Sequence, residues 1–207
     1  LRTAYNALEL AVLTTPPGED GAIRVRLSDA EQSIQKKSLS YNEDDYYNYL
    51  SAFCKSLRGS DSDAALYYAM RLISGGCDPM LVARRLAVHS AEDVGMADPR
   101  ALQMAASAMY VLEKTGAPEG LIPLSQAIIY VCEAPKSNSV ITAMSAAKRD
   151  AEGVRDDGGV PTYLCDHSFD GAEGKRQVAK YKYPHDYPAG YVEQQYLPDA
   201  LKDAVYY

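Results

Sequence analysis

The residues of this 207-residue chain that could bind a metal or form a catalytic pair are concentrated near its end. Cys165, Asp166 and His167 are consecutive, and His185 is followed by Asp186. Zinc sites usually use close ligand pairs such as C-x2-C or H-x3-H, and the sequence has neither. No serine or cysteine nucleophile lies near His185 in the sequence, although folding could supply one. We therefore predict no metal site and no catalytic residue, and interpret His185 and Asp186 as a hydrogen-bonded pair.

Two stretches resemble nucleotide-binding motifs. The segment GAEGKR at 171–176 has only two residues between its first glycine and the Gly-Lys pair, where a P-loop has four, and Arg176 replaces the magnesium-binding Ser or Thr. The segment AIIYVCE at 127–133 has the apolar-then-acidic pattern of a Walker B strand. Its apolar residues nevertheless recur at helical spacing, which indicates a core helix. Neither stretch predicts a nucleotide site, and we expect no cofactor in this chain.

Composition limits the classes of function. The formal net charge is −7 and 47% of the residues are hydrophobic, which argues for a real core and against a protein that mainly binds nucleic acid. Four residues of the C-terminal region could still contact nucleic acid or a partner protein beside tyrosine rings: Lys175, Arg176, Lys180 and Lys182.

The cysteines and the apolar runs indicate the cellular compartment. The four cysteines show no C-x-x-C pair and no regular spacing, which favours a reduced cytoplasmic protein over a disulfide framework. No apolar run reaches the length of about 18 residues that a membrane span needs, so we expect no membrane association. The chain begins with Leu1 in an apparent helix, which we interpret as a piece of a longer protein.

The elements that must position these residues are mostly helices, because apolar residues recur at helical spacing between capping residues and glycines. Eight helices are predicted, at 2–13, 28–37, 42–58, from Ser60 or Asp61 to 74, at 78–94, 98–115 and 123–134, and from Ser137 or Asn138 to 153. Ile23, Val25 and Leu27 alternate with two arginines, which predicts a short strand. Ser28 and Glu31 have the spacing of a capping box. The predicted fold is an all-α helical bundle with a short strand near its start.

Helical patterns fade after residue 158, and the chain ends in a tyrosine- and proline-rich tract. Disordered segments normally lack aromatic residues, so we predict an ordered strap that lies across the bundle with Tyr183, Tyr187, Tyr191 and Tyr196 partly buried. Gly190 is expected to supply a turn. The residues assigned to the strap are Tyr183, Pro184, His185, Asp186, Tyr187, Pro188, Gly190, Tyr191, Gln194, Gln195 and Tyr196.

Several stretches together resemble the C-terminal part of the RarA/MgsA proteins, AAA+ ATPases of replication-fork maintenance related to clamp loaders and to the Werner-helicase-interacting protein. The most specific are SLRGSD and YPHDYP, and the resemblance covers essentially the whole chain. It implies that residues 1–38 are the end of a AAA+ lid domain and 39–207 a clamp-loader-like helical collar with the strap at 158–207. Arg2 matches the sensor-2 arginine of the family.

The resemblance also implies a function for the longer protein, a DNA-dependent ATPase that uses ATP and Mg²⁺ in replication, recombination and repair at stalled forks. This chain would be its oligomerisation collar, a homotetramer without ATPase activity of its own. The alternative is a recognition module that docks a partner, such as single-stranded DNA-binding protein, or single-stranded DNA on tyrosine rings. Solution mass distinguishes the two, because a collar assembles without a ligand.

Overall fold

A computed structural model describes residues 2–33, 43–153, 158–166 and 181–207. These residues form eight α-helices: α1 Arg2–Thr14, α2 Leu27–Ser33, α3 Glu43–Arg58, α4 Ser62–Ser74, α5 Pro79–His89, α6 Arg100–Thr115, α7 Leu121–Glu133 and α8 Ser139–Gly153. The described part of the chain contains no strand, so the all-α prediction is confirmed. The chain divides into two compact units, residues 1–137 and 138–207. The expected boundary at residue 38 lies outside the described residues.

The first unit has its core among α3 to α7, which pack against one another. Their apolar residues recur every three or four positions, so each helix presents one apolar stripe to its neighbours. Leucine, isoleucine and phenylalanine side chains fill the centre, and each contributes about 1.5–3 kcal/mol through its burial. The largest fully buried side chains include Phe53, Leu57, Leu72, Leu86, Leu124 and Ile128.

Aspartates begin three of these helices, as the sequence predicts. The Oδ1 atom of Asp61 accepts a hydrogen bond from the N–H of Ala64 at 2.9 Å. Asp78 and Asp98 each precede a proline and accept from the N–H two residues on, at 2.9 and 3.1 Å. These bonds satisfy backbone donors that have no partner inside the helix. Each helix therefore starts where its own sequence specifies.

The predicted strand is wrong. Residues 22–26 have no regular structure, and α2 already begins at Leu27. Alternating residues make a stable strand only beside a second strand, and here the Arg24 guanidinium instead binds Asp20, at 3.0 Å between Nη1 and Oδ1. At the start of α2 Asp29 accepts from the N–H of Arg26 at 2.9 Å, whereas the Glu31 side chain of the predicted capping box is not among the described side chains. The expected end of this helix near Lys37 lies outside the described residues.

The second unit consists of α8 and a segment of short 3-10 turns, at Thr162–Leu164, Pro184–Asp186, Pro188–Gly190 and Asp199–Leu201. Gly190 has φ +64°, as the turn prediction requires. Two tyrosine hydroxyls bind within this unit: Tyr163 donates to the Gln195 carbonyl at 2.6 Å, and Tyr206 donates to Asp150 at 3.2 Å. The tyrosine-rich tract is thus held by hydrogen bonds that span long stretches of sequence.

Across the described helices, none combines the length and the apolar character that crossing a membrane would require.

Candidate functional site

A cluster of charged side chains lies partly inside the first unit, where α5 widens into a π-helix at Ser90–Val94. His89 ends α5, Glu92 and Asp93 belong to the π-helix, and Arg58 ends α3. His89 is 8% exposed and Asp93 is 6% exposed. Buried charged groups are costly unless they are paired, so their partners decide what this cluster does.

The π-helix brings these side chains onto one side of the chain. Its hydrogen bonds run from residue i+5 to residue i, as in the bond from the Gly95 N–H to the Ser90 carbonyl, and Gly95 ends it with φ +53°. Such wide turns are rare and often mark functional sites. The Ser90 hydroxyl, itself buried, donates back to the Ala87 carbonyl at 2.7 Å.

Arg58, Asp93 and His89 form a continuous hydrogen-bonded chain. Arg58 Nε lies 2.7 Å from Asp93 Oδ1, and its Nη2 lies 3.1 Å from Glu92 Oε1. The second Asp93 oxygen, Oδ2, lies 2.8 Å from His89 Nδ1. Asp93 raises the pKa of the Arg58 guanidinium. A side-chain hydrogen bond with Cys54 is the main cause that raises the pKa of His89; burial opposes it and Asp93 adds to it.

The same side chains have the geometry of metal ligands, because one ligand atom from each of His89, Glu92 and Asp93 lies within 4.8 Å of the others. Arg58 argues against a cation here, since its guanidinium already binds both carboxylates and would repel a divalent ion. The sequence analysis missed this cluster. Its local signal is the spacing H-x2-E-D at 89–93, which places three polar groups on one helical face.

The cluster is joined to the end of the first unit through main-chain and lysine contacts. The Asp93 carbonyl accepts from the N–H of Ser137 at 2.8 Å. Next to it, Lys136 Nζ donates to the carbonyls of Val131, Cys132 and Ala134 at 2.9, 2.7 and 2.8 Å. A lysine there complements the negative end of α7. Partial burial lowers the pKa of Lys136.

A second polar group lies at the start of α6. Asp98 is 6% exposed and accepts from Arg100 Nε at 2.8 Å, from Arg100 Nη2 at 2.9 Å and from the Tyr130 hydroxyl at 2.8 Å. The hydrogen bonds from Arg100 are the main cause that lowers the pKa of Asp98 to about 2. This group joins α6 to α7 and contains no nucleophile, which is typical of a structural contact.

Most of the predicted basic residues lie outside the part of the chain that the structure describes. Lys175, Arg176 and Lys180 lie outside the described residues, as do GAEGKR and His167. Lys182 is described: its N–H donates to Gln194 Oε1 at 2.9 Å and its Nζ donates to the Glu193 carbonyl at 3.1 Å. Arg2 begins α1, and its sensor role stays a prediction.

Three of the four strap tyrosines are about half buried, and Tyr191 is mostly exposed. Tyr183, Tyr187, Tyr191 and Tyr196 keep 52, 39, 74 and 51% of their surface exposed. Their segment makes local turns, such as the bond from the Asp186 N–H to the Tyr183 carbonyl at 3.0 Å, and these turns do not bury the rings fully. The location of the strap across the bundle stays a prediction.

The predicted hydrogen bonds of His185 and Asp186 stay a prediction. Both side chains are exposed, and an exposed polar group needs no protein partner. The His185 ring contacts the Tyr183 ring, with the two centroids 5.1 Å apart.

Three strap residues, Gln194, Gln195 and Tyr196, line an open cleft of about 610 Å³ together with Lys202 and Asp203. The side-chain oxygen of Gln194 accepts a hydrogen bond from the Lys182 N–H. The Nε2 atom of the same amide is buried and has no partner among the described residues. A buried donor without an acceptor is costly, and this amide could donate to a carbonyl or carboxylate of a ligand. Sequence reasoning identified these glutamines but not the cleft.

A group of aromatic rings, two of them partly buried against the core, lies on α3 and α4. The rings of Tyr49 and Tyr68 are 6.2 Å apart, and Tyr67 contacts Tyr68 edge to face at 5.3 Å. The Arg71 guanidinium lies 5.5 Å from the Tyr49 ring centre, a cation–π contact. Tyr67 itself is 60% exposed.

The described residues form an all-α region of a kind that many protein families share. Comparison with known proteins specifies which one. The family model described as "MgsA AAA+ ATPase C terminal" matches residues 59–207, and "AAA C-terminal domain" matches residues 1–58. The chain belongs to the MgsA AAA+ ATPase C-terminal family.

Curated relatives agree with this family. The chain is 48% identical to Replication-associated recombination protein A of Bacillus subtilis and 37% identical to the protein of that name of Escherichia coli K12, over its full length in both cases. It is 32% identical to ATPase WRNIP1 of Dictyostelium discoideum over 84% of the chain and 20% of that protein. The chain spans about half the length of the bacterial relatives. The resemblance inferred from the sequence is confirmed.

Proposed function

We propose that this chain is the oligomerisation collar of a AAA+ ATPase that acts on DNA in replication-associated recombination and repair. The chain matches its family over residues 59–207, and its bacterial relatives are named for replication-associated recombination. In this proposal the missing half of the longer protein binds ATP and Mg²⁺ and hydrolyses ATP. The collar fixes how many ATPase domains assemble and how far apart they lie.

One structural observation supports self-association: the core of the first unit is well packed, yet large apolar side chains remain on its surface. A monomer of this size needs no such groups at water-facing helix positions, and exposed apolar surface often marks an interface. Tyr47, Tyr67, Leu102, Tyr110 and Ile122 are between 45 and 73% exposed. A closed assembly with twofold axes, most simply a homotetramer, would cover such surface.

We further propose that this chain alone does not hydrolyse ATP, because phosphoryl transfer needs the P-loop, metal ligands and sensor together. Arg2 would contact the ATP phosphates only in the longer protein, where the preceding lid residues position it. The longer protein would work in the cytoplasm with DNA and with single-stranded DNA-binding protein.

Native mass spectrometry of the longer protein, with and without residues 39–207, tests the collar. The account predicts a tetramer for the intact protein and monomers for the shortened one. A shortened protein that stays tetrameric would contradict the proposal.

The second candidate is a recognition module for a partner protein or single-stranded DNA. The observation in its favour is the exposure of the strap tyrosines, together with the cleft that contains the unpaired Gln194 amide. Exposed rings are available for stacking on bases or on a peptide. Fluorescence anisotropy with labelled oligonucleotides tests this role: saturable binding that Tyr191→Ala weakens would support it, and an unchanged titration would contradict it.

A further inference from the structure

Between Ile122 and Ile129 the water-facing side of α7 carries no charged residue. Ile122 is 73% exposed and Ile129 is 42% exposed, and Gln126 lies on the same side between them. The three positions are separated by four and three residues, which places them in one row along the helix. Ile122 and Ile129 are about 10 Å apart along the axis at 1.5 Å per residue.

Of the described helices, α7 is the only one with no charged residue before its last position, although α6 also has an uncharged stretch, from Ala101 to Leu112. From Leu121 to Cys132 the helix contains no charged residue, and its first is Glu133 at the last position. Charged residues occur within all seven other described helices, and 24% of the whole chain is charged. A helix face that stays in water normally carries charged side chains. The missing charge therefore indicates that this face is covered by another surface.

The composition of the face favours a second copy of the same chain as the cover. Each copy has a net charge of −7, so two copies repel each other unless they meet through a surface without acidic groups. The α7 face is such a surface. Its glutamine can both donate and accept a hydrogen bond, so it can pair with an identical glutamine.

The spacing also suits a twofold contact. If two α7 helices pack antiparallel, Ile122 of each copy meets Ile129 of the other, and the two Gln126 side chains come together near the axis. A twofold interface needs this kind of self-complementary surface, in which residue i meets j and j meets i. Glu133 lies one turn beyond Ile129 and accepts a hydrogen bond from the Ser62 hydroxyl of its own chain at 2.9 Å.

We infer that the α7 face of Ile122, Gln126 and Ile129 forms a twofold interface between two copies of this chain. This inference rests on the proposed collar, and it specifies which helix the assembly uses. In a tetramer with twofold axes it supplies one of two different interfaces, so its loss leaves dimers.

Charge substitutions test the pairing in solution. Ile122→Glu and Ile129→Lys each place a charge against an isoleucine of the second copy, and each should convert tetramers into dimers by light scattering. The double variant sets glutamate against lysine at both ends of the contact and should restore the tetramer. Ser145→Glu, at an exposed position on α8, is the control for added charge and should leave the mass unchanged. Circular dichroism checks that each variant is folded.

Disulfide formation by a cysteine introduced on the α7 face tests the interface independently of the charge substitutions. In a chain with the exposed Cys165 replaced by serine, Gln126→Cys should form disulfide-linked dimers and nothing larger on mild oxidation, whereas Ser145→Cys should not. If the wild type is a tetramer and the folded Ile122→Glu and Ile129→Lys variants remain tetramers, the α7 interface is wrong and the collar stands. A wild-type monomer would contradict the collar itself.

Discussion

The Arg58 guanidinium, at the end of α3, binds the nearly buried carboxylate of Asp93 on the π-helix, with 2.7 Å between Nε and Oδ1. Thirty-five residues separate the two in sequence. This pair joins two helices and leads on to His89 and, through the Asp93 carbonyl, to Ser137. Its contribution to stability is the first thing to measure.

Arg58→Met should lower the free energy of unfolding by about 1–3 kcal/mol, because it leaves the Asp93 carboxylate buried with one partner fewer. Arg24→Met is the matched control. It breaks an ion pair between two exposed side chains, Arg24 and Asp20, and should lower stability less than Arg58→Met does. Urea unfolding followed by circular dichroism measures both, and equal losses would show that the Asp93 contact adds nothing.

The raised pKa of His89 predicts how stability depends on pH. Folding favours the protonated imidazole, so the stabilisation is complete below the unfolded pKa of about 6.5 and is lost as the pH rises through the higher folded pKa. His89→Gln should remove this loss. The groups that face His89 are Cys54, Glu92 and Asp93, with Arg58 bound to both carboxylates.

Unfolding in urea at a series of pH values from about 6 to about 8 provides the test. The wild type should lose more stability over this range than His89→Gln does. His185→Gln, which removes an exposed histidine, is the control and should follow the wild type. Parallel profiles for the wild type and His89→Gln would show that His89 does not titrate with folding.

The lowered pKa of Asp98 predicts that stability changes with pH in the opposite direction. Its pKa is lowered to about 2, mainly by hydrogen bonds from Arg100, so its stabilisation is present above the ordinary aspartate pKa of about 4. That stabilisation is lost as the pH falls through about 2. Asp98→Asn should therefore lose less stability than the wild type between pH 4 and 2, measured by thermal unfolding. If the wild type and Asp98→Asn lost the same stability between pH 4 and 2, the ionised Asp98 carboxylate would not contribute to folding.

The ammonium group of Lys136 satisfies three carbonyls that α7 leaves without helical partners. Lys136→Met keeps the apolar stem but leaves those carbonyls partly buried, and it should cost about 1–3 kcal/mol. Lys148→Met is the control, because Lys148 is exposed on α8 and pairs only with exposed Glu152. Hydrogen exchange at the end of α7 should accelerate in Lys136→Met alone; unchanged exchange would contradict the capping role.

The sequence predicted the helices well because their signals are local. Asp61, Asp78 and Asp98 each bind an N–H two or three residues away, so the residues that specify a helix start are close together. The strand at 23–27 failed for the opposite reason. Its alternation needed a neighbouring strand, and Arg24 found Asp20 four residues away instead.

The charged cluster could be predicted only in part. The spacing of His89, Glu92 and Asp93 is visible in the sequence, but a π-helix is too rare to be expected from spacing alone. Arg58 belongs to a different helix, so its contact with Asp93 depends on how α3 and α5 pack. The exposure of the strap tyrosines could not be predicted for the same reason. A count of aromatic residues predicts that the segment is ordered, but it does not predict which surface covers the rings.

The central claim is that this chain assembles with itself. Light scattering on the purified 207-residue chain across micromolar concentrations, without nucleotide, DNA or partner, tests it most directly. The account predicts a mass of four chains that persists on dilution through this range. A mass of one chain throughout would contradict the collar, and would leave the recognition module as the better description of this region.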